Sequence, residues 1–254
     1  MNEAPDPQAG YQPARQIQIT LPVLAPKVTY AILGFTVFIY ILQFLSRGFV
    51  GYDFNGLDIL EHYAARSNDA IRAGQLWRFI TPVFLHASPT HIFFNMYALF
   101  SIGSFLERQF GHTRLALLYF LCAFSGNVFS FLLSDGYSVG ASTAVFGLIT
   151  AEAVFFYQNR ELFGNQARQA LGNAAFIIII NLVIGLSPGI DNWGHVGGLL
   201  GGAMFAWFAS PRWEVVGIPP ALHLEDQREL REIVLGASLV LILFGALAIW
   251  GMFF

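Results

Sequence analysis

Charged residues are scarce in this sequence: they make up 11% of it, against roughly 25% in a soluble globular domain. With 56% hydrophobic and 16% aromatic residues, that scarcity excludes an ordinary water-soluble fold. The net charge of −3 is small and dispersed, so no basic footprint for nucleic acid exists. Cysteine is nearly absent. Cys122 stands alone in an apolar run, can form no intrachain disulfide, and reads as a small buried residue. There is no His-Glu-x-x-His zinc motif and no Gly-x-Gly-Asp, so two intramembrane chemistries lack their parts. Also missing are the short alternating segments of a membrane β-barrel, the internal duplication of many transporters, and the apolar core of a cleaved signal peptide.

What the sequence has in abundance is long apolar runs. A helix needs near 20 apolar residues to cross about 30 Å of hydrocarbon, and seven stretches approach that length: 28–45, 91–106, 115–133, 139–157, 170–186, 193–209 and 233–254. Residues 1–26 are polar and carry Pro5, Pro7, Pro13, Pro22 and Pro26, which reads as a flexible tail, leaving membrane targeting to the first span. The connections are short except for 46–90 and 210–232. One domain is the simplest organisation, and the expected fold is an all-α polytopic membrane helix bundle.

Lys and Arg set the orientation. With the N-terminus cytoplasmic, that side holds Arg15, Lys27, Arg108, Arg114, Arg160, Arg168, Arg212, Arg228 and Arg231, and the far side only Arg47, Arg66, Arg72 and Arg78. An odd number of spans then leaves Phe254 outside. The second, fourth and sixth spans must all start at the outer face, so their first turns share one depth. Those turns hold His91 and Asn95, Ser142, and His195. Polar side chains inside a bilayer are costly unless they face a cavity or one another, which makes these four a candidate site.

Each element has a plainer reading when taken alone. Ser142, in Gly140-Ala141-Ser142-Thr143-Ala144, reads as an N-cap serine ahead of a small-residue packing face. It also reads as a hydroxyl beside the free N–H groups of a helix start. A serine needs a base, and His195 is the candidate. It lies beside a stripe of Gly194, Gly198 and Gly202 that permits backbone-to-backbone packing on a neighbouring helix; alone it reads as a packing or gating histidine. His91 and Asn95 share a helix face at i, i+4, as an interhelical clamp or as donors to a developing oxyanion, where each donor is worth about 3 kcal/mol. Asp191, four residues before His195, is assigned to a loop or an N-cap, which leaves a Ser–His dyad. Glu152 lies roughly 15 Å beyond Ser142 along the helix and is expected to pair with a polar group near the inner side. His62, His112 and His223 read as loop or interfacial residues. His86 with His91 lacks the further ligands a metal site requires.

Together these residues resemble the rhomboid family of intramembrane serine proteases, over about Gln75 to Gly202. The resemblance is carried by Trp77-Arg78, His86, His91-x-x-x-Asn95, Glu107-Arg108, the Gly-x-Ser segment at Ser142, and Gly194-His195-x-x-Gly198-x-x-x-Gly202. It implies a six-helix core, with 233–254 as an added seventh helix. It also implies Ser142 as nucleophile, His195 as general base, His91 and Asn95 as oxyanion donors, Phe146 beside the imidazole, and Trp77-Arg78 against the membrane. The usual Gly-x-Ser-Gly reads Gly140-Ala141-Ser142-Thr143 here, which puts a β-branched side chain next to the nucleophile.

The expected division is a tail over 1–26, a six-helix core over 27–210, and a cytoplasmic linker with the seventh helix over 211–254. The expected function is that of a serine endopeptidase cutting membrane proteins in or near their transmembrane segments, with no cofactor and no metal. Its partners are transmembrane substrates and the lipid bilayer, with no nucleic acid, and its place is the plasma membrane. A catalytically silent, client-binding relative is the alternative that Thr143 raises, and a transporter or channel is the one that buried polar residues raise.

Overall fold

The structure, a computed structural model, describes residues 24–218 and 221–254. The expected polar tail falls outside these residues up to position 23. The first helix, α1 (Lys27–Phe49), has no side-chain cap of its own. Its free N–H groups are taken by Glu107 of another helix, which accepts from Val28 N and Thr29 N at 2.7 Å each and from Thr29 Oγ1 at 2.6 Å. A carboxylate at a helix N-terminus satisfies both the orphan donors and the dipole. His112, a loop or interfacial residue by sequence, completes this cluster at 2.5 Å from Glu107.

The long loop after α1 is ordered by short elements: α2 (Ile59–Ala64), strand β1 (Arg66–Ser67) and α3 (Asn68–Arg72). Two 3-10 turns at Leu76–Phe79 and Thr81–Phe84 follow. Arg78 is buried and donates to the carbonyls of Ala65 (2.5 Å) and His62 (2.8 Å), while Trp77 stays exposed. The motif thus divides its work: the guanidinium folds the loop and the indole faces outward.

Next come α4 (Pro89–Ala98), a π-helical turn (Leu99–Gly103) and α5 (Ser104–Leu133). Gly111 breaks α5 with φ 79° and ψ 168°, a conformation open to glycine, and so turns one long apolar stretch into two passes. Strand β2 (Tyr137–Ser138) pairs antiparallel with β1 and leads into α6 (Ser142–Gln158). The short α7 (Arg160–Phe163) joins it to α8 (Asn165–Ile184), followed by α9 (Asn192–Ala209). A hairpin of β3 (Trp213–Val216) and β4 (His223–Asp226) occupies the expected linker, and α10 (Leu230–Phe253) ends the chain.

This is an all-α membrane helix bundle. Among the described residues four helices are long and apolar enough to cross a membrane, namely Lys27–Phe49, the bent Pro89–Leu133, Asn165–Ile184 and Leu230–Phe253. The remaining two expected spans, α6 and α9, are 17 and 18 residues long and lie in the middle of the bundle. There α9 packs on α5, α6 and α10. The outer helices α1, α8 and α10 turn Phe38, Phe176 and Ile242 outward, as lipid-facing helices do. Glu152 departs from expectation: it is half-buried and finds no polar partner among the described residues. The adjacent α8 is apolar through its middle, residues 174–180, and offers none.

Glycine decides how the centre closes. A Cβ on Gly198 would fall on the Thr143 carbonyl, and one on Gly202 on the Gly147 backbone, so this face of α9 lies against α6. A second face, Gly197 and Gly201, lies against α5, where a Cβ on Gly197 would come 2.6 Å from Phe129 Cβ and Ser125 O. The structure therefore bears out the predicted stripe and doubles it. Because Gly198 opposes backbone, which cannot rotate away, Gly198→Ala is expected to destabilise the protein by roughly 1–3 kcal/mol. Gly172→Ala on α8, where an added methyl meets nothing within 4 Å, is expected to be neutral or mildly stabilising; thermal midpoints of both variants in detergent check this.

Candidate active site

The sequence allows Ser142 as an N-cap, but it is the first residue of α6 proper; the N-cap is Ala141, with φ −70° and ψ −6° and no side-chain capping bond. The hydroxyl is therefore free of its own helix end. It meets His195, one turn into α9, with Nε2 2.9 Å from Ser142 Oγ. Phe146, one turn beyond Ser142, stacks on the imidazole with ring centroids 4.1 Å apart and planes 7° from parallel. Both positions follow from the glycine contact, which holds α6 and α9 close enough for first-turn side chains to touch.

His195 is buried and its Nδ1 has no partner among the described residues. Asp191 is the N-cap of α9, as expected, and accepts from Gly194 N at 3.1 Å. Its carboxylate is further occupied by Ser134 Oγ at 2.8 Å and by Ser130 Oγ, not by the histidine ring. Among the described residues the arrangement is a pair of side chains with no acid hydrogen-bonded to the base.

His91 and Asn95 are placed differently. The edge of the His91 ring lies over Gly140: a Cβ built there would be 2.7 Å from His91 Cε1 and Nε2 and 3.7 Å from Ser142 Oγ. Gly140 has φ 131°, so two separate reasons, backbone conformation and space, call for glycine. Asn95 is buried beneath His91 and donates Nδ2–H to the His91 carbonyl at 3.0 Å. The structure thus brings Ser142, His195 and His91 into one group and leaves the Asn95 amide turned back on its own helix.

One neighbour had no assigned role in the sequence reading. His86 is fully buried, accepts from Ala141 N through Nε2 at 3.4 Å, and sets its ring 5.0 Å from that of His91, nearly edge to face. Its backbone N–H donates to Gln43 Oε1 at 2.9 Å, and its carbonyl accepts from Arg47 at 3.1 Å. Arg47 in turn pairs with Asp58 and Glu61 at 2.8 Å each. The sequence marks His86 in two ways, as one of the residues that carry the family resemblance and as a histidine five before His91 without the further ligands of a metal site, and neither assigns it a role.

Thr143 is buried, with Oγ1 lacking a partner among the described residues. Its side chain occupies a notch made by two other glycines: a Cβ on Gly126 would lie 2.6 Å from Thr143 Cβ, and one on Gly194 3.0 Å from Thr143 Cγ2. The β-branch is accommodated because the facing positions carry no side chain.

The segment 73–212 matches the family model described as Rhomboid domain. The chain is 34% identical over 197 residues to the rhomboid protease GluP of Bacillus subtilis (strain 168), an alignment covering 77% of this chain and 36% of that protein. It is 41% identical over 133 residues to RHOMBOID-like protein 6, mitochondrial, of Arabidopsis thaliana, covering 52% of this chain and 43% of that one. With Rhomboid-like protease 1 of Toxoplasma gondii it shares 36% over 149 residues, covering 57% and 51% respectively. The chain thus spans between about a third and a half of the length of these relatives.

A buried hydroxyl without a partner costs about 1–3 kcal/mol. Thr143→Val, which keeps the branch and removes the hydroxyl, is expected to raise the thermal midpoint. Thr143→Gly empties the notch and is expected to lower it.

Proposed function

The chain belongs to the rhomboid family, and from that premise we propose that it is an intramembrane serine endopeptidase acting on transmembrane segments of other proteins. The observation that carries this reading is the 2.9 Å approach of His195 Nε2 to Ser142 Oγ within the helix bundle. A hydroxyl in that position has its base in hydrogen-bonding reach.

In the proposed reaction Ser142 Oγ attacks the scissile carbonyl while His195 Nε2 takes its proton, then returns it to the leaving amine. The oxyanion is received by the unpaired N–H groups of the first turn of α6 and by the His91 side chain over Gly140. Asn95 becomes a second side-chain donor once its amide leaves the His91 carbonyl. Water, activated by His195, hydrolyses the acyl-enzyme. Phe146, flat against the imidazole, restricts the ring to the plane that faces Ser142. With Nδ1 unpartnered, the ring is oriented by stacking and by its helix, in contrast to a triad, in which an acid holds the base. A helical substrate conceals its carbonyls in its own hydrogen bonds, so substrates are segments that unwind locally, with small residues near the cut.

The excess of Lys and Arg on one side supports a cytoplasmic N-terminus, with the site near the outer face of the plasma membrane. A silent client-binding role was motivated by Thr143, and the packing of that residue between Gly126 and Gly194 gives it no further support.

A fluorophosphonate probe is expected to label the intact protein and to fail on Ser142→Ala, with cleavage of a transmembrane substrate in liposomes lost in parallel. His195→Ala is expected to lower kcat by roughly 10⁴-fold or more. His91→Ala and Asn95→Ala are each expected to lower it by about 10²- to 10³-fold at little-changed KM. Absence of both labelling and cleavage in the folded protein overturns the reading. Single-cysteine accessibility, with the buried Cys122 as a silent background, is expected to find position 254 outside; protection there overturns the orientation.

A further inference from the structure

Behind the candidate dyad lies a buried ionic cluster that its chemistry does not use. Arg66 is 1% exposed, the largest of the fully buried side chains. It donates to Asn68 Oδ1 at 2.6 Å and to the carbonyls of Ser134 at 3.1 Å and Gly136 at 2.9 Å. Its backbone pairs with Ser138 in the β1–β2 ladder. Arg66 thus grips the whole connection from the end of α5 into the start of α6, and Ser142 follows four residues after Ser138. On its other side the guanidinium faces Asp191 at 3.9 Å.

Asp191 grips the second half of the dyad. Its side chain accepts from Gly194 N, and its carbonyl accepts from His195 N at 3.3 Å, so the N–H of the imidazole-bearing residue and the N–H before it both end on this one residue. Ser130 and Ser134, one turn apart at the end of α5, donate to the same carboxylate. The start of α9 is thereby fixed to the end of α5 and, through Arg66, to the loop entering α6. A charge pair withdrawn from water is expensive unless its remaining bonds are filled; Arg66 Nε has no partner among the described residues, while Arg66 Nη1 and the Asp191 carboxylate bond to groups of the three segments that must stay in register.

Since no acid among the described residues touches the imidazole, its direction is inherited from the helix. We infer that Asp191, held by Arg66, Ser130 and Ser134, is a positioning residue that sets the first turn of α9, and so the Ser142–His195 separation, without contacting substrate. The inference rests on the protease reading above and assigns no acid–base step to Asp191. It predicts that weakening the cluster slows turnover without weakening substrate binding.

The test is steady-state cleavage of a transmembrane substrate by the full chain in detergent, with thermal midpoints measured in parallel. Asp191→Ala is expected to lower kcat at least tenfold with KM within twofold. Asp191→Asn, which retains an acceptor for Gly194 N–H, is expected to restore most of the rate. The Ser130→Ala/Ser134→Ala pair is expected to reproduce the loss more mildly, and it carries the test if Asp191→Ala does not fold. Wild-type kcat in Asp191→Ala or in the serine pair overturns the inference alone. So does a loss in Asp191→Ala that appears in KM, or one that Asp191→Asn fails to relieve. A folded wild-type chain that neither cleaves nor labels overturns the protease reading and this inference with it.

Discussion

Two side chains from the first turns of different helices can share a hydrogen bond only if the helix backbones come close, and between α6 and α9 that closeness is granted by the absence of Cβ atoms. Gly198 and Gly202 lie on the Thr143 carbonyl and the Gly147 backbone. In lipid there is no hydrophobic gain from burying apolar surface between helices, so close backbone contact and dispersion must supply the association. The same contact sets Phe146 flat on His195 and brings Nε2 to Ser142 Oγ. Without it α9, still held on α5 by Gly197 and Gly201, no longer brings His195 to Ser142.

The remaining helices make this centre durable. Glu107 closes the start of α1. At the far end of α9, Arg228 donates to Ser210 O at 2.9 Å, Gln158 Oε1 at 2.9 Å and Glu232 Oε1 at 2.6 Å, joining the ends of α6 and α9 to the start of α10. Gly236 then lets α10 lie against Phe205 and Phe208. In each case a buried charge is met by several donors or acceptors from different helices, the condition under which such charges are tolerated.

Much of this was legible in the sequence because periodicity and spacing are local. The Gly194–Gly198–Gly202 stripe announces a side-chain-free face, and depth groups Ser142, His195, His91 and Asn95. The Rhomboid domain match covers the same segment. What stayed hidden depended on partners far away in sequence. The second face at Gly197 and Gly201 could not be assigned until α5 lay beside it. The notch that seats Thr143 is built by Gly126 and Gly194 from two other helices, so the departure beside Ser142 looked less tolerable in sequence than it is in space. Arg66 was counted only as a loop charge, although its bonds reach residues 68 and 70 positions on. Asn95 was aligned with His91 by spacing, but spacing cannot tell a side chain aimed at a site from one folded back on its own carbonyl.

The two kinds of glycine contact also differ in how the sequence can drift. Where Gly201 faces the Ser125 side chain, with the nearest backbone atom at an ordinary 3.6 Å, a change on one helix has a possible answer on the other, since Ser125 can shrink to glycine as its neighbour grows. Gly198 and Gly202 face peptide groups, which every residue type carries alike, so no replacement on α6 can make room for them. The first contact can wander as a pair through many sequences, while the second holds each of its positions to a single residue however the rest of the chain changes.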